Sequence, residues 1–253
     1  LCNSMEYENI MKVLAIIPSR YNSSRFPGKP LANIMGKSMI QRVVEQCKKC
    51  EEIGRIIVAT DDTRIFLHVQ SFGAEVIMTS EYHENGSSRC SEVFSSINEE
   101  YDVILNIQGD EPYIKPEQIS SLLSLFKSED IEIGTLAKKI TDYNIYRDAN
   151  NPKIFFNKEK IATSFERQGS LNEYQFKQNK FYQHIGIYGF RSDTLSKIAK
   201  LDPTKNEIKE NLEQCRWLDN QYKIKVKLTS LENIPIDREE DIEKIKTLNL
   251  KNS

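Results

Sequence analysis

Residues Met11 to Gly36 read MKVLAIIPSRYNSSRFPGKPLANIMG. Val13 to Ile17 is an unbroken run of β-branched and aliphatic residues, which suits a strand buried on both faces of a parallel sheet. Pro18 ends it. The loop that follows, Ser19 to Gly28, carries Arg20 and Arg25 among small hydroxyl and amide side chains, with Lys29 directly after it. Open α/β sheets bind ligands at the carboxyl ends of their strands. Three cations at one strand end suit a polyphosphate, which brings several negative charges into a small volume. A solvated basic loop is the alternative. Nothing in the chain reads GxxxxGK[ST], so the phosphate loop of the P-loop NTPases is absent.

The remaining chain is long enough for one large core with a small appended region: 253 residues, 39% hydrophobic and 28% charged. A net charge of −2 leaves no basic field for nucleic acid. No stretch approaches the ~18 apolar residues of a membrane span. The first ten residues, LCNSMEYENI, lack a charged-then-apolar signal pattern and are expected to be a loose extension before a single domain from 11 to 253. A cytoplasmic protein is expected. Cys47 and Cys50 form a lone CxxC with no second pair to complete a zinc ribbon, so they are expected to be reduced thiols without a joint role.

Period and punctuation predict helices over Lys37–Cys50, Asp62–Phe72, Cys90–Glu99 and Pro116–Phe126. These alternate with buried strands at Arg55–Ala59, Glu75–Met78 and Val103–Ile107. Asp61 and Asp62 are expected to serve the start of the second helix. Thr79 to Arg89, TSEYHENGSSR, reads as a loop. The strand VILNI delivers Gln108, Gly109, Asp110 and Glu111 at its end. There Asp110 suits Mg²⁺, a hard cation that takes carboxylate and phosphate oxygens, or else caps the next helix. Right-handed βα crossovers then give a doubly wound, mostly parallel α/β sheet.

Beyond Ile131 the pattern becomes smaller and partly antiparallel. Strands are expected at Ile131–Ile140, Lys153–Phe156, Ile161–Phe165, Phe181–Arg191 and Tyr222–Leu228, and an exposed polar loop over Ser170–Phe181. Helices are expected at Asn211–Leu218 and Glu239–Leu248. This part would lid the site. By residue type alone, His184 suits a satisfied core histidine, and Glu213 and Gln214 suit the wet face of an amphipathic helix.

Six segments, IIPSRYNSSRFPGKPL, TSEYHENGSSR, QGDEP, FYQHIGIYGFR, NLEQCR and IPIDREED, resemble the sugar-activating cytidylyltransferases in the same order. The resemblance is strongest to the 3-deoxy-manno-octulosonate (KDO) cytidylyltransferase family and covers nearly the whole chain. It implies a Rossmann-like nucleotidyltransferase fold, with 11–130 as nucleotide-binding core and 131–253 for sugar binding and dimerisation. It implies Mg²⁺-dependent joining of CTP and KDO, a homodimer, and no nucleic-acid or membrane partner. Arg20, Arg25 and Lys29 would hold the triphosphate, with Gly86, Ser87 and Arg89 also at the nucleotide. Asp110 and Asp237 would be metal ligands, and Arg20, Lys29, Asp110 and Asp237 the catalytic set. Gln108, Arg167, His184, Glu213 and Gln214 would meet the sugar. The chain departs from the pattern at Ser19 (usually Ala), Asn85 (usually Ser), Ser88 (usually an acid) and Gln183 (usually Arg), and lacks an Ile-Pro pair after Arg167. These departures leave room for another acidic sugar, such as 8-amino-KDO or a nonulosonic acid. A non-catalytic nucleotide-binding protein would be expected to have lost one of the cations or acids.

Overall fold

The computed structural model describes residues 11–22, 26–232, 236 and 238–243. The strands are β1 (Val13–Pro18), β2 (Asn33–Ile34), β3 (Lys37–Ser38), β4 (Arg55–Thr60), β5 (Glu75–Met78), β6 (Val103–Asn106), β7 (Ile133–Ile140), β8 (Lys153–Phe156), β9 (Ala162–Glu166), β10 (Phe181–Arg191) and β11 (Ile224–Thr229). The helices are α1 (Met39–Cys47), α2 (Thr63–Ser71), α3 (Gly86–Ser96), α4 (Pro116–Leu123), α5 (Tyr143–Arg147), α6 (Glu173–Lys177), α7 (Ser192–Ile198), α8 (Lys205–Glu210) and α9 (Gln214–Asp219).

The main sheet runs β11-β7-β10-β6-β1-β4-β5, and the β8–β9 hairpin joins through β10. β1 pairs in parallel with both β4 and β6, which puts its end at the centre of the sheet. β10 runs antiparallel between β6 and β7. Its placement explains why the sequence changes pattern after Ile131: β7 and β11 extend the parallel sheet only through this reversed strand.

Alternation along β1 sorts the core into two layers. Val13, Ala15 and Ile17 face α1, α2 and α4 through Ile40, Val43, Ile65, Val69 and Leu122. Leu14 and Ile16 face the other side, with Cys90, Val93, Leu195 and Trp217 from α3, α7 and α9. Helices therefore cover both faces, as a doubly wound sheet requires. Trp217 is fully buried edge-on against Tyr188 and Phe190, and this contact pins α9 to β10.

Several expected boundaries shift for local reasons. Lys37 and Ser38 belong to a short β2–β3 hairpin, and the Ser38 side chain caps α1. Asp62 caps α2, but Asp61 turns away to bind Arg89. The expected loop 79–89 ends in helix, because Asn85 caps α3 and starts it at Gly86. The polar stretch 170–181 contains α6, closed by an Asn172–Gln175 capping box and burying Phe176 among Tyr146 and Phe181. Asn211 adopts a left-handed conformation, φ 51°, so the helix expected from 211 begins only at Gln214. The helix expected at 239–248 is helical over 239–243, and its remainder lies outside the described residues, as do residues 1–10.

Two cations bind backbone carbonyls around the β8–β9 hairpin, and one of them reaches α8. The fully buried Lys153 Nζ donates to the carbonyls of Asp148 (2.7 Å) and Arg167 (2.6 Å). Arg167 donates through Nε to Glu210 O (2.7 Å) and through Nη2 to Asn211 O (2.8 Å). Charged donors thus satisfy the last carbonyls of α8.

The close passage of β10 under the turn after α4 depends on Gly189. A Cβ there would lie 2.5 Å from Phe126 Cε2 and 2.9 Å from Cζ. Gly189→Ala is expected to cost about 2 kcal/mol by overpacking, lowering Tm by roughly 4–8 °C. A thermal melt against wild type checks this, and an unchanged Tm would show that the ring yields freely.

Candidate active site

A cleft of about 220 Å³ opens at the carboxyl ends of β1 and β6, beside the N-terminus of α3. Pro18, Ser19 and Arg20 come from β1 and its loop, and Gln108, Gly109 and Asp110 from beyond β6. Lys29 and His83 to Gly86 close the sides, and Arg89 borders it. Two strand ends and one basic loop thus meet here, at the place the sheet topology favours for ligands. Ser19 N–H still donates to Ala59 O (2.8 Å), so the chain holds its course against β4 until Arg20 turns out, exposed. Gly109 permits the approach of the two ends. A Cβ on it would lie 2.4 Å from Ser19 Oγ and 3.1 Å from Pro18 O.

Lys29 reaches the cleft through Gly28, whose φ of 71° turns the chain into the short 3₁₀ turn at Lys29–Leu31. Lys29 is only 9% exposed, and its Nζ contacts Asp110 Oδ2 at 2.7 Å. The expected triphosphate cation and the expected metal ligand are therefore paired with each other in this structure. Asp110 caps no helix, since α4 starts after Lys115. Arg25 and Asp237 lie outside the described residues. Among the described residues no group of three or more His, Cys, Asp or Glu could hold a metal ion.

The nucleotide-loop expectations divide. Gly86 packs its backbone where a Cβ would sit 3.0 Å from Asn106 Nδ2. Ser87 is fully buried and its Oγ accepts from Asn106 Nδ2 (3.4 Å). Arg89 is almost wholly buried. Its guanidinium binds Asp61 Oδ2 (2.7 Å) and Thr79 Oγ1, so its donors serve the scaffold that ties α3 to the ends of β4 and β5. His83 lies between Ser88 Oγ (Nδ1, 3.1 Å) and the Glu92 carboxylate (Nε2). Glu92 also accepts the Ser80 N–H at 3.0 Å, which fixes the loop.

On the other side of β6, Gln108 Nε2 donates to Asn106 Oδ1 (3.0 Å). Glu213, just before α9, is half-buried and lies near Ser87 and Arg216. Burial pushes its carboxyl up to about 7 against the opposing pull of Ser87 and Arg216. Gln214 beside it is buried. His184 is 7% exposed, set edge-on to Phe165 and tilted against Tyr188. Thr135 Oγ1 donates to Ile187 O (2.8 Å), so it accepts from His184 Nε2–H at 2.9 Å, leaving Nδ1 as an acceptor. Burial pushes the imidazole down to about 3, so this histidine is neutral. Gln183, where the pattern carries arginine, donates to Asn151 Oδ1 (2.8 Å). Arg167, expected at the sugar carboxylate, is instead occupied with the carbonyls after α8.

Some residues of this site escape sequence reasoning. Asn106 is a polar residue within the apolar run VILNI, a visible signal of a buried hydrogen-bonding role. Tyr188 Oη is buried without a partner, on a strand directly opposite Asn106 and in the field of Glu213. Only the fold brings these together.

A mixed, mostly parallel sheet covered by helices on both faces, with a cleft at its central strand ends, is an α/β fold of the nucleotidyltransferase type. A family model described as cytidylyltransferase matches residues 14–249. A 3-deoxy-manno-octulosonate cytidylyltransferase from Parabacteroides distasonis is 45% identical over 93% of this chain and 97% of its own. One from Cytophaga hutchinsonii is 42% identical over 92% and 95%. A solved CMP:2-keto-3-deoxy-manno-octonic acid synthetase complexed with CTP superposes with a TM-score of 0.87 at 32% identity, over 96% of this chain and all of that one. The chain belongs to the cytidylyltransferase family, and within it to the 3-deoxy-manno-octulosonate cytidylyltransferases.

The neutral His184 has a consequence for stability. Its unfolded-state value is near 6.5 and its folded one about 3. Between these the unfolded chain binds the extra proton, so stability falls as pH drops from 6.5 toward 3, by up to ~1.4 kcal/mol per unit. Denaturant melts of wild type and His184→Gln across this range should show the difference between them shrinking as pH falls. A constant difference would mean that the ring is not buried neutral.

Proposed function

We propose that this protein transfers the cytidylyl group of CTP to the anomeric hydroxyl of KDO and releases pyrophosphate, for lipopolysaccharide synthesis. The observation that carries the proposal is the juxtaposition of Arg20, Lys29 and Asp110 where β1 and β6 end. The anomeric oxygen forms a bond to the α-phosphorus as the bond to pyrophosphate breaks. No covalent intermediate on the protein is needed, so the chain's contribution is positioning and charge neutralisation. Exposed Arg20 meets phosphate oxygens at the cleft mouth, with Arg25 expected beside it. Lys29 is within reach of the leaving group, and Gln108, His184, Glu213 and Gln214 orient the sugar.

The Lys29 ammonium already places a cation on Asp110, so the carboxylate fits a divalent cation such as Mg²⁺. Asp237 is proposed as the second ligand on the resemblance. When bound, Mg²⁺ neutralises phosphate charge and lowers the pKa of the attacking hydroxyl. With Asp110 so engaged, Lys29 would be the residue to hold the phosphates.

Gln183, bonded to Asn151 in place of an arginine, favours keeping a second acidic sugar in view. A homodimer in the cytoplasm, where CTP is made, completes the proposal. No described helix is long and apolar enough to cross a membrane.

Pyrophosphate release tests this directly. Release should require both CTP and KDO, fail with UTP and stop with EDTA. Asp110→Asn should reduce kcat by ~10²-fold or more, the scale of losing a main electrostatic contact in a transition state. Near-wild-type turnover in that variant would remove the metal assignment. Release with another sugar acid but not KDO would move the substrate while keeping the chemistry.

A further inference from the structure

The two neighbouring acids after β4 brace two different walls of the cleft. Asp61 Oδ2 binds Arg89 of α3. Asp62 caps α2 and holds Arg64 in a bidentate pair, with Nε 3.0 Å from Oδ1 and Nη2 2.6 Å from Oδ2. The guanidinium so fixed lies over the ring of Tyr21, its Cζ 3.3 Å from the ring centroid. Arginine presents a flat, weakly hydrated cation that suits stacking on an aromatic face. Tyr21 follows Arg20 in the basic loop, is half-buried, and packs against the core layer beneath α1, α2 and α4.

Tyr21 also governs the other stem of the loop. Its carbonyl accepts the Gly28 N–H at 2.9 Å, so the chain leaves and returns at one point. Gly28 packs on the same ring, since a Cβ there would lie 3.0 Å from Tyr21 Cζ and 3.0 Å from Oη. Arg20 stands one residue before Tyr21, and Lys29 one residue after Gly28. The ring is thus the common support of these two cations. Arg64 is not among the residues lining the cleft, and its side chain is 58% exposed.

We propose that Arg64 is a positioning residue for the triphosphate: held by Asp62 and stacked on Tyr21, it fixes the spacing between Arg20 and Lys29. This rests on the proposed reading of those two cations as triphosphate contacts. A polyphosphate is held best by cations already at set separations, because a loop braced before the ligand arrives gives up less freedom on binding. The consequence is selective. Losing the stack weakens the hold on the outer phosphates, while the contacts proposed for the sugar on β10, α9 and the end of β6 stay as they were.

Calorimetry of CTP and CMP binding, with the KM for CTP and for KDO in pyrophosphate release, tests this. Arg64→Ala should weaken CTP binding about fivefold, the scale of an exposed cation–aromatic contact, with little change in CMP affinity or in the KM for KDO. Arg64→Lys keeps a cation over the ring and should recover part of the loss. Tyr21→Leu should lose at least as much as Arg64→Ala, and Tyr21→Phe, which keeps the ring face, should fall well short of that loss. Adding Arg64→Ala to Tyr21→Leu should weaken CTP no further. Wild-type CTP affinity in Arg64→Ala would overturn the proposal. So would a further loss in the double variant, which would mean that Arg64 meets the phosphates by itself. Equal losses for CTP, CMP and KDO would mean general damage and overturn it too. If Tyr21→Leu fails to fold, Arg64→Ala and Arg64→Lys, altered at an exposed side chain, decide the matter. Absence of pyrophosphate release from wild type would instead fail the reaction itself. The CTP and CMP affinities of the same variants then decide the brace, and a wild type that binds no CTP overturns both.

Discussion

The site depends on how closely two chain ends approach. β1 and β6 are neighbours in parallel, and after the last strand residues their chains pass with Ser19 and Pro18 against the backbone of Gly109. A side chain at 109 would separate them. Because they meet, the loop carrying Arg20 and Lys29 and the turn carrying Gln108 and Asp110 face a common space. The Lys29–Asp110 pair follows from that closeness. It joins a mostly buried ammonium to a half-exposed carboxylate, drawn from residues far apart in sequence, at 2.7 Å. The cleft thus holds opposite charges side by side, which suits a ligand that brings both a cation and anions.

A second set of constraints acts from α9. α9 is short and polar at its start, and its position comes from Trp217 wedged against Tyr188 and Phe190. Its start then places Glu213 near Ser87, so a helix from the C-terminal part of the chain meets one from the N-terminal part. Arg89 does comparable work from below. By binding Asp61 and Thr79 it gives up its charge to the scaffold and fixes α3, whose first residues form the cleft wall.

Much of this was legible beforehand. The buried run of β1, the basic loop and the alternation of strands and helices through Leu123 follow from period and composition, and these put Arg20, Lys29, Gln108 and Asp110 at two strand ends of one sheet edge, whereas Ser87 was implied there by the resemblance alone. What was not legible depends on long-range pairing. Nothing local marks β10 as the reversed strand between β6 and β7, or tells that Arg167 would be taken up by α8 and Arg89 by Asp61. An arginine's partners are chosen by the fold, and its charge alone does not reveal whether it is spent within the protein. The polar stretch at 170–181 hid a helix because its capping residues, Asn172 and Gln175, also look like loop residues.

The clamp at Lys153 and Arg167 makes the hairpin β8–β9 and the α8–α9 segment a single mechanical piece. Their side-chain donors serve backbone carbonyls, while the Arg167 N–H donates to Glu210 Oε2 (2.9 Å), so the clamp uses one acidic side chain as well as the main chain. Asn211, at φ 51°, takes a left-handed conformation that few residues adopt, so positions 210 and 211 are both constrained. Moving α9 by itself would be another matter, because it would part Trp217 from Tyr188 and Phe190, the β10 residues that set its height above the sheet.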